Sequence, residues 1–151
     1  MSQAIVFDAP LMPLEFAAIA LNVTRKQGLD MLASRELLWA FDVALESRTE
    51  IRVLAQEVAR VQGRAGYVPD FAAALRLIFP DSPPARPGVI AKMSLGVIAR
   101  RLCIGSDHAL RLMRGGWLKP LGNTHCRRGP GGSPDVEFSS VVEFLKQRRI
   151  V

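Results

Sequence analysis

An internal repeat constrains the fold of this 151-residue chain more than any other feature. When the sequence is shifted by 81 residues, positions 11–32 align with positions 92–113 without a gap. A match that spans a helix, a turn and a second helix in one register is hard to obtain by chance. We therefore predict two copies of one structural unit. Identical residues pair as Met12 with Met93, Leu14 with Leu95, Ala18 with Ala99, Leu21 with Leu102, Leu29 with Leu110 and Leu37 with Leu118.

Prolines and glycines divide the chain between the two copies. The segment 79–88 contains four prolines and a glycine, and it cannot form the interior of a helix. Before it, Asp70 can cap a short helix from Phe71 to Ile78. Because this helix is apolar on most sides, it must pack against other elements, and we expect the two halves to touch. The predicted divisions are a first unit at 1–66, a helical connector and proline-rich linker at 67–88, and a second unit at 89–151.

The second unit has the pattern of a helix-turn-helix. Ser94 can cap a helix from Leu95 to about Leu102. A turn follows, in which Gly105 is expected to take the positive φ that a tight turn requires. Ser106 can then cap a second helix that runs to about Arg114. This order of elements is that of a helix-turn-helix motif. The residues expected to face inward are Leu95, Ile98, Ala99, Leu102, Ala109, Leu110 and Met113.

The residues after this motif predict a wing. A strand at 117–121 and an alternating strand at 135–138 flank a glycine-rich loop that carries Arg127 and Arg128. A hairpin with a basic tip beside a recognition helix can place arginines on phosphates or in the minor groove. A surface loop is the alternative interpretation of the tip. Ser139 or Ser140 is expected to cap the last helix.

The first unit shows the same order of elements. Pro13 to Leu21 is predicted to form the first helix, and Thr24 to cap a second helix that runs to Ser34. The wing of this unit is not basic overall. The sequence therefore fits DNA binding by this unit and a role in dimerisation or partner contact equally well. The remaining predicted elements are a strand at 37–41, a wing at 42–49, a return strand at 50–53 and a last helix at 54–61.

The positive charge of the chain is concentrated in its second part. Residues 1–80 contain 8 Lys or Arg and 9 Asp or Glu, whereas residues 81–151 contain 12 and 5. A basic region can bind the phosphate backbone of a nucleic acid because it displaces condensed counterions. A solvated basic surface, or a basic tail that binds an acidic partner, has the same composition, so charge alone leaves these interpretations open.

The candidate DNA-binding residues follow from the helix-turn-helix prediction. The outer face of its second helix reads base edges in the major groove, and Arg111 is the strongest candidate because an arginine can form two hydrogen bonds with one guanine. A helical hairpin with a charged outer face is the structural alternative. The candidates in the second unit are Arg100, Arg101, Ser106, His108, Arg111, Arg114, Arg127 and Arg128. Those in the first unit are Thr24, Arg25, Lys26, Gln27 and Arg48.

The second unit resembles the excisionase and MerR-like winged helix-turn-helix family. The resemblance rests on LGVIARRLCIGS at 95–106, LRLMRGGWL at 110–118, VEF at 136–138 and VVEFL at 141–145. It implies a recognition helix that ends in glycine before a strand, and a short helix after the wing. It also implies a recombination directionality factor of a mobile element or a transcriptional regulator. The chain departs from the family pattern in its two copies and in Asp107, which is acidic where a neutral or basic residue suits a nearby phosphate.

Other classes of function find no support in the sequence. Nucleotide-binding, nucleophile-elbow and metalloprotease motifs are absent, and no pair of acidic residues is placed for acid–base catalysis. The four residues Cys103, His108, His125 and Cys126 lack the spacing of a zinc site. We expect no enzymatic activity, no cofactor and no metal. The chain has no apolar run of membrane-spanning length and no signal-peptide pattern, so we expect no membrane association and a cytoplasmic, nucleoid-associated protein.

The sequence as a whole predicts a mainly α fold with small β-hairpin wings (α+β), arranged as two tandem winged helix-turn-helix units. The predicted function is sequence-specific binding of double-stranded DNA, as an excisionase-like accessory factor or a transcriptional regulator of a mobile element. Homodimerisation or cooperative assembly on DNA, and contact with a recombinase or RNA polymerase, are the partner hypotheses. The alternative is a protein-interaction adaptor that recruits a recombinase, polymerase or replication protein. It is suggested by the near-neutral first half of the chain, in which we expect Trp39 and Phe41 to be exposed.

Overall fold

The computed structural model describes residues 9–45, 49–83, 86–121 and 134–151. Within these ranges the fold is mixed α and β, with seven short helices and five strands of three or four residues. The elements of the first unit are β1 Leu11–Pro13, α1 Leu14–Ala20, α2 Arg25–Ala33, β2 Ala40–Asp42, β3 Ile51–Leu54 and α3 Ala55–Val61, and the connector contains α4 Phe71–Ile78. Those of the second unit are β4 Lys92–Ser94, α5 Leu95–Leu102, α6 Ser106–Arg114, β5 Asp135–Glu137 and α7 Phe138–Arg148.

Each unit contains one small antiparallel sheet. In the first, β3 lies between β1 and β2, and Val53 faces Met12 on one side and Ala40 on the other. In the second, β5 pairs with β4, and Val136 faces Met93. The strand predicted at 117–121 is reduced to a single bridge between Pro120 and Val136, because proline has no amide hydrogen to donate to a longer ladder.

The short strands β1 and β4 are absent from the predicted pattern. Each contains three residues and runs directly into a helix, so alternation is too brief to show in the sequence. Both pair with the return strand of their own unit. In the first unit, β1 adds a third strand to the predicted two-stranded wing.

The predicted caps are confirmed at three helices. Ser94 accepts a hydrogen bond from the Val97 amide at 3.3 Å, and Asp70 accepts one from the Ala73 amide at 2.8 Å. Thr24 caps α2, where its hydroxyl accepts from the Gln27 amide. These residues accept from the third amide of the helix, which has no partner within it.

Three local predictions are wrong. Gly105 has φ −73, and the positive φ of the turn belongs to Cys103, at 56. Ser106 is the first residue of α6 rather than its cap, since the cap position is Gly105. The last helix begins at Phe138 with Glu137 as its cap residue, so neither predicted serine caps it. The hydroxyl of Ser140 instead donates to the Glu137 carbonyl oxygen and accepts from the Lys119 amide.

One hydrophobic core joins the two units, as expected from the apolar connector helix. It combines Leu11 and Phe41 of the first unit with Leu102 and Phe138 of the second, and Phe79 lies between them, fully buried. The rings of Phe79 and Phe138 meet edge to face, with centroids 5.3 Å apart. The proline-rich segment therefore begins inside the core and is not a free linker. A second core cluster, which includes Leu14, Ala17, Leu32 and Leu37, lies within the first unit.

Most of the predicted inward positions of the second unit are buried, with one exchange. Leu95, Ile98, Ala99, Leu102, Ala109 and Met113 are buried, whereas Leu110 is only partly buried and Leu112 is fully buried. The surface prediction for Trp39 and Phe41 is wrong, because both side chains lie in the shared core. The indole nitrogen of Trp39 donates to the Val68 carbonyl oxygen at 3.1 Å.

The contacts between the units do not follow a two-fold axis. Helix α5 packs against β1, and α7 packs against β2. The Arg52 Nε donates to the Cys103 carbonyl oxygen at 3.0 Å. The two units thus contribute different elements to the contact between them.

Candidate nucleic-acid interface

Helix α6 presents a polar face to solvent. Ser106, Asp107, Arg111 and Arg114 are exposed, while Ala109, Leu112 and Met113 are buried against the core. Positions 107, 111 and 114 lie four and three residues apart, so they share one side of the helix. The exposed side-chain fraction is 80% for Asp107 and 61% for Arg111. The face is thus accessible along its length.

An ion pair lies within this face. The Arg111 Nε is 3.3 Å from Asp107 Oδ2. The predicted reading face did not include this contact, although the spacing of four residues with the acid first is a known stabilising pattern on helices. Arg114, one turn further on, has no ion-pair partner among the described residues. The two arginines of α6 therefore differ in how firmly their side chains are held.

His108 does not belong to the exposed face, contrary to the prediction that it reads bases. Its side chain is 14% exposed, and its Nε2 donates to the Val43 carbonyl oxygen at 2.6 Å. Its Nδ1 lies 3.5 Å from Glu50 Oε2. The ring thus contacts the first unit beside its wing. Helical periodicity turns position 108 toward the side of α6 that the first unit covers, and the sequence of α6 alone gave no sign of that neighbour.

Two arginines at the end of α5 also differ in whether an ion pair holds the side chain. Arg100 is exposed, and it has no ion-pair partner in the described part of the chain. Arg101 is 30% exposed at its side chain and lies 3.3 Å from Asp81 of the connector. Arg100 is therefore the better placed of the two for an external phosphate.

In the first unit, the polar residues at the start of α2 are engaged locally. Gln27 and Thr24 form a reciprocal capping box, in which Gln27 Oε1 accepts from the Thr24 amide at 2.8 Å. Arg25 Nε donates to Glu15 Oε1 of α1 at 3.1 Å. Among the four predicted residues of this helix, only Lys26 is exposed without an ion-pair or side-chain hydrogen-bond partner in the described structure.

The Glu15 carboxylate has a pKa below its ordinary value. The largest cause is the hydrogen bond to its own backbone, which acts against desolvation of the partly buried carboxylate. The hydrogen bond and the charge of Arg25 lower the pKa further, and Arg52 adds a smaller effect. Glu15 is therefore held in the charged form that pairs with Arg25.

Three of the predicted residues, Arg48, Arg127 and Arg128, lie outside the described residues, as do His125 and Cys126. Among the residues that the structure does describe, 86–121 contain seven Lys or Arg and one acidic residue, Asp107. The charge around α5 and α6 is therefore strongly positive. The described residues contain no group of three or more His, Cys, Asp or Glu placed to hold a metal ion. None of the described helices is long and apolar enough to cross a membrane.

Comparison with known proteins finds no match. No family model fits the chain, and no curated protein and no solved structure is significantly similar to it. Any functional inference for this chain rests on its residues and their geometry.

Proposed function

We propose that this protein binds double-stranded DNA through the exposed face of α6. The observation that carries the proposal is the helix pair α5 and α6, in which α6 exposes Arg111 and Arg114 while its opposite side is buried. A helix of this kind can enter the major groove and bring arginines to base edges. The positive surroundings of α5 and α6 would attract the phosphate backbone.

The contacts divide into two kinds. Arg111 and Arg114 read base edges, since they lie on one accessible side of α6. Arg100 contacts a phosphate, because it extends from α5 without an ion-pair partner among the described residues. The amide nitrogens at the start of α6 add a partial positive charge near the phosphate backbone of the DNA. His108 takes no part in base reading and instead fixes α6 against the first unit.

The finer proposal is two tandem winged helix-turn-helix units, as in the excisionase and MerR-like family that the sequence resembles. The support is that both units begin with strand, helix, turn and helix and end with a strand and a helix, the first unit having β2 in addition, and that both have a positive φ of 56 in the turn, at Asn22 and Cys103. An accessory factor for recombination or a transcriptional regulator is the corresponding biological role. The adaptor alternative loses the residues that suggested it, since Trp39 and Phe41 are buried.

The test is binding of the full-length chain to DNA duplexes over a series of salt concentrations. After selection of preferred sequences from a random duplex pool, Arg111→Ala is expected to reduce the preference for the selected sequence by about fivefold to 100-fold. Arg100→Ala is expected to weaken binding to all sequences and to lower the slope of log affinity against log salt by about one.

The matched control is Arg76→Ala, which removes one positive charge from the exposed side of the connector helix α4. It is expected to leave the sequence preference and the salt slope unchanged. Salt-independent binding that is equal for the wild type and all three variants would contradict the proposal.

A further inference from the structure

Asp107 is an acidic side chain on a surface where every other charged residue of α5 and α6 is basic. It lies in the first turn of α6 and is 80% exposed. A carboxylate on a DNA-binding face repels phosphates, so it lowers affinity for every sequence. The presence of Asp107 on this face must therefore be explained by an effect other than a gain in affinity.

The contact of Asp107 with Arg111 supplies such an effect. The carboxylate lies 3.3 Å from the Nε of Arg111, four residues later on the same side of the helix. This is the favourable order for an ion pair on a helix, with the acid nearer the positive end of the helix dipole. The contact limits the conformations that the long arginine side chain adopts before it meets a ligand.

The ion pair leaves the terminal nitrogens of Arg111 available to contact a base. A guanidinium carries five N–H donors in a plane, and the closest approach to Asp107 is made by Nε. Within the described residues, no side-chain hydrogen bond engages the two terminal nitrogens. Those nitrogens can donate two parallel hydrogen bonds to the O6 and N7 of a guanine. An arginine already held in this orientation loses less conformational freedom on binding.

We infer that Asp107 is a positioning residue that orients Arg111 to read a guanine. The inference rests on the proposed DNA-binding function and adds to it a determinant of specificity. Asp107 then has two opposite effects, because it weakens attraction to all DNA and sharpens the choice at one base pair. A residue that only stabilised the helix would change affinity for every sequence by the same factor.

The experiment compares affinity and discrimination in the full-length chain. Sequences selected from a random duplex pool by the wild type identify the base pair whose preference Arg111→Ala removes. Discrimination is the ratio of affinities for the selected duplex and for the duplex changed at that base pair. Asp107→Asn is expected to lower this ratio by about two- to fivefold, the range that an exposed ion pair supports. The same variant is expected to bind duplexes of unrelated sequence more tightly.

Two further variants make the result specific. Asp107→Glu keeps the carboxylate and is expected to restore part of the ratio. Glu143→Gln removes one negative charge from the exposed side of α7, and it is expected to leave the ratio unchanged. Circular dichroism shows whether each variant is folded, and Asp107→Ser replaces Asp107→Asn if the latter unfolds.

The outcomes separate the inference from the proposed function. If Asp107→Asn binds more tightly but discriminates as well as the wild type, Asp107 does not position Arg111 and the inference is overturned. Duplex binding without any base preference that depends on Arg111 also overturns it, while DNA binding itself stands. A wild type that binds no duplex overturns the proposed function and the inference together.

Discussion

The two units share the turn between their first two helices and differ in the side chains around it. The Val23 amide donates to the Ala18 carbonyl oxygen at 2.9 Å, and the Ile104 amide donates to that of Ala99 at the same distance. Both turns place a non-glycine residue at φ 56. The turn conformation is therefore set by the hydrogen bonds and packing around it, since neither Asn22 nor Cys103 has the freedom of glycine.

Both units also use a side chain to accept a hydrogen bond from an equivalent backbone amide. In the first unit the Leu38 amide donates to the Glu57 carboxylate at 2.7 Å. At the equivalent place in the second unit the Lys119 amide donates to the Ser140 hydroxyl at 2.9 Å. The acceptor at this position is thus a carboxylate in the first unit and a hydroxyl in the second.

The two units differ in the charged residues on their outer surfaces. Positions 19 and 20 of α1 are Ile and Ala, whereas the equivalent positions 100 and 101 of α5 are both Arg. On the second helix the charge order is reversed, since Lys26 and Asp30 stand where the second unit has Asp107 and Arg111. Only the second order, with the acid first, forms an ion pair in the described structure. The same pair of helices therefore carries a mostly basic outer surface in the second unit and a surface of mixed charge in the first.

The prediction with the largest expected effect tests whether the two units unfold together. Phe41→Ala removes a fully buried ring from the core that joins them. We expect the free energy of unfolding to fall by about 3–5 kcal/mol, because the change leaves a cavity. The whole chain is expected to unfold in one transition, measured in urea by far-UV circular dichroism and by Trp39 fluorescence in a Trp117→Phe background.

The control for this change is Ile19→Ala, at a side chain that is 62% exposed, and its effect is expected to stay within about 0.5 kcal/mol. Two separate transitions in Phe41→Ala, of which only the one reported by Trp39 moves, would show that the units fold independently.

The prediction of intermediate size compares the loss of stability when each of the two acceptors, Glu57 and Ser140, is replaced. Glu57 is fully buried and accepts from Arg60 Nε at 2.8 Å and from Arg60 Nη2 at 2.9 Å, in addition to the Leu38 amide. We expect Glu57→Gln to lower the free energy of unfolding by about 1.5–3 kcal/mol, since it weakens hydrogen bonds between charged groups. Ser140→Ala is expected to cost about 0.5–1.5 kcal/mol, because it removes a neutral acceptor.

Urea unfolding of both variants measures this difference. Glu143→Gln on α7, which occupies the position equivalent to Arg60, serves as an exposed control with no expected change. A larger loss for Ser140→Ala than for Glu57→Gln would contradict the idea that the first unit depends more on this site.

The smallest expected effect is a pH dependence of the free energy of unfolding, which arises from Glu15 in the first unit. The pKa of Glu15 in the folded protein lies below its ordinary value of 4.5. Its contribution to stability is therefore complete above the ordinary value and is lost as the pH falls through the folded value. After allowance for solvent screening of this exposed pair, we expect at most about 0.5 kcal/mol.

The measurement is the difference in free energy of unfolding between the wild type and Glu15→Gln from pH 7 to pH 3. The difference is expected to shrink as the pH falls. Asp30→Asn removes a nearby exposed carboxylate as a control for net charge. A difference that grows toward low pH would have the wrong sign for a lowered pKa.

The sequence by itself determined most of the helices and the equivalence of positions between the two units. Helix periodicity and caps such as Thr24, Asp70 and Ser94 place most helices within a residue or two of their observed bounds. The shift of 81 residues predicted that Leu37 and Leu118 occupy equivalent positions, and both are fully buried. These signals are local, because a cap or an apolar stripe acts within one or two turns of the chain.

Only the tertiary structure decided which polar or aromatic side chains remain exposed. His108 is covered by Val43, which lies 65 residues earlier in the chain. Trp39 and Phe41 enter a core completed by the connector and the second unit. Contacts of this range depend on how the units pack, and no local pattern encodes that arrangement. The physical reason is that burial is a property of the neighbours in space, whereas periodicity shows only which side of an element faces inward.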